Sequence, residues 1–153
     1  MATALLDFYD GEQRFDAIAL GDDYRPSDCE EFMCLEQRAY FLKKLRVWKE
    51  SIVEESRASM AQLQFDSMRD PDIADRASSE TDWSIELRTR DRQRKLISKI
   101  DSAVRRLYDG EYGYCEVSGE PILLARLEAR PIATMSLEAQ EKHERVERVS
   151  RDD

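Results

Sequence analysis

Three groups of residues in this 153-residue chain have types and spacings that could do chemistry. The first is in residues 112–121, YGYCEVSGEP, where an aromatic-Gly-aromatic run, Cys115, a turn and a glycine follow the layout of a zinc-ribbon knuckle. Such a site needs a second sulfur three residues on and two more about twenty residues later, four ligands in a tetrahedron. Those positions hold Ser118, Ser136 and Ala139. Serine is a poor zinc ligand and alanine none; His143 is a single nitrogen, and Cys29 and Cys34 lie far away in sequence. The layout therefore predicts no metal, with Ile122, Leu123, Leu127, Ile132, Met135 and Leu137 holding the segment together instead. Cys115 is then a small packed residue, or a thiol switch if it is exposed in electropositive surroundings.

The second group is Asp66, Asp70, Asp72 and Asp75, clustered around Pro71. Asp and Pro make good turns and caps, which alone accounts for most such clusters. Paired carboxylates also serve acid-base chemistry or hold Mg²⁺, but a bare hairpin turn has no pocket walls to shift a pKa. If these carboxylates act, they act inside another protein's active site. The third group is RTRDRQRKLISK, residues 88–99, with six bases and one acid. Arg88, Arg92, Lys95 and Lys99 share one helical face, which reads either as a solvated surface or as a site for an anion.

The elements that must position these groups are mostly helical. The chain is 37% charged and 41% hydrophobic with 5 Gly and 4 Pro, which leans toward extended, solvent-washed helices and a modest core. A net charge of −9 argues against DNA or RNA as a direct partner. Three scattered cysteines suit reduced thiols rather than a disulfide framework. Neither a membrane-length apolar run nor a charged-then-apolar leader is read, so the expectation is a cytoplasmic protein with no membrane partner.

Residues 1–32 read as an acidic arm with one short helix, and Leu5, Leu6, Phe8, Phe15, Ile18 and Leu20 are available to pack on the globular part. Pro26-Ser27-Asp28, backed by Glu30 and Glu31, reads as a helix start. Leu35, Leu42, Leu45, Trp48, Ile52, Met60 and Leu63 then keep one narrow seam to about Met68. Pro71 disfavours helix at Asp70. A second helix is expected from Ala74 or Asp75 to Tyr108, seamed by Ile85, Leu96, Ile100, Val104 and Leu107 and stopped at Asp109-Gly110. Two such helices pack antiparallel as a hairpin about 50 Å long, with its tip at residues 66–77. The expected fold is thus mainly α: a long antiparallel coiled-coil hairpin (33–108), then a small degenerate zinc-finger-like globular segment and a C-terminal helix from Ser136 (109–153).

The stretch DRASSETDWSIELRTRDRQRKLISKI, followed by DGEYGYCEVSGEPILLARLEARP, resembles the DksA/TraR family of bacterial RNA polymerase secondary-channel regulators. The similarity runs without an evident gap from about Asp72 to Pro131 and more weakly over the first long helix. It implies a transcription regulator of the stringent response and not an enzyme. Its hairpin would enter the polymerase secondary channel past the β′ rim and bring Asp72, Asp75 and Ala77 near the catalytic centre. Open promoter complexes would be destabilised, repressing ribosomal RNA promoters and activating some amino-acid promoters. The resemblance also implies a guanosine tetraphosphate (ppGpp) site shared with polymerase, formed here by Arg92, Lys95, Leu96, Lys99 and Arg130. Gln140 stands where a basic residue is expected, with Lys142 as the substitute at hand. The four zinc positions read Cys115, Ser118, Ser136 and Ala139, as in cysteine-poor members that work without zinc. The implied protein is a monomer with no cofactor of its own. The alternative from a different class is a redox-responsive interaction protein gated by Cys115.

Overall fold

The computed structural model describes residues 18–67 and 73–151, giving the backbone alone for Ser67, residues 73–79 and Arg151. The described residues form four helices, α1 (Leu35–Ser67), α2 (Ile73–Asp109), α3 (Leu124–Ala129) and α4 (Leu137–Arg151), and one isolated antiparallel bridge between Tyr114 and Pro121. They fall into two compact units: unit 1 is Met1–Leu45 with Ser102–Asp153, and unit 2 is Arg46–Asp101.

The first helix begins at Leu35 rather than at Ser27. Ser27 and Asp28 supply turn chemistry instead: the Ser27 hydroxyl accepts the Cys29 N–H at 3.2 Å, and the Ser27 carbonyl accepts the Glu30 N–H at 3.3 Å. Met33 then takes a left-handed φ of 54°, which breaks the helical path. Two side chains of the first helical turn hold it there. The Met33 N–H donates to Gln37 Oε1 at 2.9 Å, and Arg38 Nε donates to the Met33 carbonyl at 2.9 Å. Gln37 is itself fully buried, and its amide donates onward to the Ser27 carbonyl and the Glu30 carboxylate.

This strap seats Phe32 and Met33 on unit 1. Phe32 meets Tyr114 edge to face at 5.4 Å, and the Phe32 and Met33 side chains close over Gly113, whose φ is 89°. A β-carbon at Gly113 would stand 2.9 Å from Met33 Cε and 3.1 Å from the Phe32 ring. Gly113→Ala combines that overlap with a positive φ, so it should destabilise the protein by about 2–3 kcal/mol. Thermal unfolding checks this; an unchanged melting temperature would refute the close packing.

The core of unit 1 gathers Phe41, Leu42, Leu45, Leu107, Tyr112, Ile122 and Leu127. Tyr112 donates to the Pro131 carbonyl at 2.7 Å. Also in unit 1, Glu128 is clamped by Tyr40 at 2.7 Å and by Lys44 at 2.6 Å, and Lys44 also reaches the Glu128 carbonyl. Burial pushes the Glu128 carboxyl up, and these donors outweigh it and hold it below the usual range.

Two expected core residues are corrected here. Leu123 is 74% exposed and Leu137 57% exposed. The run Ile122-Leu123-Leu124 alternates inward and outward before α3 starts, so Leu123 faces out between two buried neighbours. Leu137 opens α4 on its outer side, just after Ser136 caps that helix by accepting the Ala139 N–H at 3.3 Å.

In unit 2 the helices lie side by side at Lys49 and Asp101, an ion pair of 2.6 Å. Ile52 and Ile100 are the buried apolar residues of this unit among those described. Ile85, expected on the seam, is 56% exposed. Stepping back from Ile100 by three and four residues reaches Leu96, Gln93, Thr89 and Glu86, all half-buried, so the inner face there is largely polar and Ile85 lies one position off it.

Candidate functional site

The sequence places Asp75 and Ala77 in the first turns of α2, just after the break between the two long helices. Asp72, expected to act with them, lies outside the described residues, as do Asp70 and Pro71.

Further along α2, Arg88, Arg92, Lys95 and Lys99 are all exposed on one face. None of the four side chains forms an ion pair or hydrogen bond among the described residues. Elsewhere the chain does neutralise cations, with Lys49 on Asp101 and Lys44 on Glu128. The face is therefore an unneutralised cationic strip in a protein of net charge −9. Leu96 sits beside it, half-buried toward the neighbouring helix. Arg130 follows α3 in unit 1, exposed, and its side chain is likewise without a described partner. Gln140 is engaged rather than free: it accepts from Arg126 and donates to Glu144 at 2.9 Å.

The zinc-like segment keeps its backbone layout. The Cys115 N–H donates to the Glu120 carbonyl at 2.8 Å and the Gly119 N–H returns to the Cys115 carbonyl at 2.8 Å, closing a tight knuckle. The donor set does not fit a metal. Cys115 is the one sulfur, Ala139 offers none, and the two hydroxyls are in local use, Ser118 accepting the Glu120 N–H at 3.4 Å and Ser136 capping α4. Cys115 is only 2% exposed, so the exposure that a thiol switch requires is not met.

The environment of that sulfur is nonetheless polarised. Burial pushes the thiol up, while hydrogen bonds from the Ser118 hydroxyl and from the backbone N–H groups of Ser118, Ser136 and Val117 pull it down to about 6. Because the folded value lies below the unfolded one, the thiolate's contribution to stability is complete above the unfolded pKa, about 8.5 for a free cysteine, and is lost as pH falls through about 6. Ser118→Ala should move the titration upward. Thiolate absorbance followed against pH checks this, and an unchanged midpoint would show that the Ser118 side chain contributes nothing.

Residues that sequence reasoning missed are Gln37, Gly113 and the Tyr40–Lys44–Glu128 clamp. The clamp joins residues 84 and 88 positions apart, a separation with no local signature.

Comparison with known proteins matches these features to one family. Residues 37–107 match the DnaK suppressor protein DksA N-terminal domain, and residues 110–145 match the prokaryotic dksA/traR C4-type zinc finger. The chain belongs to the DksA/TraR family. The RNA polymerase-binding transcription factor DksA of Caulobacter vibrioides is 66% identical, over 86% of this chain and 92% of its own. The factor of the same name in Escherichia coli K12 is 38% identical, over 80% and 81%. Among solved structures, transcription factor DksA2 from Pseudomonas aeruginosa superposes with a TM-score of 0.73 at 34% identity, covering 81% of this chain and 94% of that one. No described helix is long and apolar enough to cross a membrane.

Proposed function

We propose that this chain is an RNA polymerase-binding transcription regulator that works without zinc, acting by insertion and contact rather than by catalysis. The observation that carries the reading is the coincidence on one helix, α2, of an acidic start at Asp75 and a partnerless cationic face at Arg88, Arg92, Lys95 and Lys99. The relatives named above supply the partner, since their names state that they bind RNA polymerase.

In this reading the hairpin enters the secondary channel past the β′ rim. Asp72, Asp75 and Ala77 meet the catalytic centre and destabilise open complexes, so ribosomal RNA promoters are repressed and some amino-acid promoters activated. Arg92, Lys95, Leu96, Lys99 and Arg130 form the protein's half of a ppGpp site with polymerase. Phosphate groups are strong acceptors for clustered guanidinium and ammonium donors, which gives the exposed strip a ligand of matching chemistry. The protein is a cytoplasmic monomer with no cofactor of its own. Zinc independence is supported by the local use of both hydroxyls and by the apolar core around Ile122 and Leu127.

The test is transcription in vitro from a ribosomal RNA promoter with purified polymerase, with and without ppGpp, alongside metal analysis of the same preparation. Inhibition that deepens with the nucleotide, from protein holding well under one zinc per chain, is the expected result. Failure to inhibit would overturn the polymerase reading, and stoichiometric zinc would overturn the metal-free one.

A further inference from the structure

We infer that Lys44 and Tyr112 are positioning residues for Arg130: between them they fix the backbone from which its side chain leaves unit 1, so that a phosphate group meets a guanidinium already in place. This role rests on the proposed contact of Arg130 with ppGpp and supplies what that contact needs.

Arg130 is poorly placed to hold itself. It follows α3, a helix of only six residues, and with φ −139° and ψ 84° it has left the helical path, as a residue before proline must. Its side chain is exposed and without a partner among the described residues. A long cation on an irregular segment moves with the backbone beneath it.

That backbone is tied through its carbonyls, the groups that a helix end leaves without internal partners. Lys44, from α1, donates to the Glu128 carbonyl at 2.7 Å and to the Glu128 carboxylate at 2.6 Å. The Arg130 N–H donates to the Arg126 carbonyl at 2.8 Å, and the Arg130 carbonyl accepts the Ala133 N–H at 3.0 Å. One residue on, the Pro131 carbonyl accepts the Tyr112 hydroxyl at 2.7 Å.

Tyr112 is 2% exposed and Pro131 is buried, so this tie is shielded from water. Burial pushes the Tyr112 phenol up, which keeps it a donor across the physiological range. Lys44 secures the other end of the segment, where Tyr40 shares Glu128 with it. The neighbouring Arg126 is taken up by the Met135 carbonyl and Gln140, which leaves Arg130 as the guanidinium of α3 and its end that is open to a ligand. All these residues belong to unit 1. A group fixed beforehand loses less freedom on binding, and a supporting shell loosened by about 1 Å forfeits much of that gain.

Tyr112→Phe keeps the buried ring and removes the hydroxyl; Lys44→Met keeps the stem and removes the donor. Amide exchange in the free full chain is the first measurement, because it needs neither polymerase nor nucleotide. Each variant should speed exchange at Arg130 and Ala133 by about tenfold more than at Leu107, in the core of the same unit. No acceleration at Arg130 and Ala133, or equal acceleration at all three, would overturn the proposal.

The second measurement titrates ppGpp against transcription from a ribosomal RNA promoter. Both variants should raise the nucleotide concentration for half-maximal response by about fivefold and leave inhibition without nucleotide unchanged. In an Arg130→Ala background, adding Tyr112→Phe should bring no further shift, because its effect passes through Arg130. A full additional shift in that background would make Tyr112 structural alone and overturn the proposal. Wild-type inhibition that ignores the nucleotide would defeat the ppGpp reading together with this one, whereas a nucleotide response kept by both variants would overturn this proposal alone.

Discussion

Asp75→Asn should abolish inhibition of a ribosomal RNA promoter in vitro while leaving polymerase binding and thermal unfolding close to wild type. The exchange keeps shape and hydrogen-bonding reach and removes one negative charge. Position 75 lies in the first turn of α2, and one charge in the first turn of a helix is generally worth about 0.3–1 kcal/mol, so folding should change little. Under the proposed mechanism, by contrast, the charge itself is what meets the catalytic centre. Its loss should cost at least about tenfold in inhibition, the factor that 1.4 kcal/mol represents. Competition with labelled wild-type protein for polymerase separates the two effects. Full inhibition by the variant would remove the carboxylate from the mechanism, and loss of binding would reassign Asp75 to anchoring.

Lys99→Ala is expected to weaken the response to ppGpp by about tenfold with a smaller effect on inhibition in its absence. Lys99 is exposed and holds no described partner, so its truncation should cost no more than about 0.5 kcal/mol of stability. A charge-assisted bond to a phosphate oxygen is worth about 1.5–3 kcal/mol, and that is lost only when the nucleotide is present. Titrating the nucleotide against the transcript level at two salt concentrations measures it, because a phosphate contact weakens as ionic strength rises. Equal loss with and without nucleotide would mark Lys99 as a polymerase contact instead.

Much of this architecture was legible because helices announce themselves by spacing. Leu42, Leu45 and Ile52 on α1, and Ile100 and Leu107 on α2, recur at steps of three and seven and are buried where that rhythm puts them. The second helix was expected from residue 74 or 75 to 108 and runs Ile73–Asp109. What misled was local chemistry with two uses. Ser-Asp caps helices and also makes turns, and the choice at Ser27 was decided by Gln37, ten residues on, whose buried amide holds the turn in place. The six-residue helix α3 is too short for any periodicity to declare. Leu123 was expected inside with Ile122, and Leu124 is buried in its place, because a continuous apolar run does not reveal which member faces out. The cationic strip was visible as composition, but only the fold shows that its four members go unpaired. The relation of Cys115 to the N–H groups of Val117, Ser118 and Ser136 needed the chain closed into its knuckle.

The polar inner face of unit 2 has a mechanical consequence. Its buried apolar residues, Ile52 and Ile100, lie near the Lys49–Asp101 pair, while Glu86, Thr89 and Gln93 occupy the inner positions farther along α2. Cohesion between the helices thus declines toward the turn, since polar contacts there gain little over hydration. Amide exchange should follow a gradient, fast around residues 80–90 and slow around residue 100, so that the far end of the hairpin opens many times before the whole molecule does. The helix pair is thus stiff around residue 100 and compliant around residues 80–90.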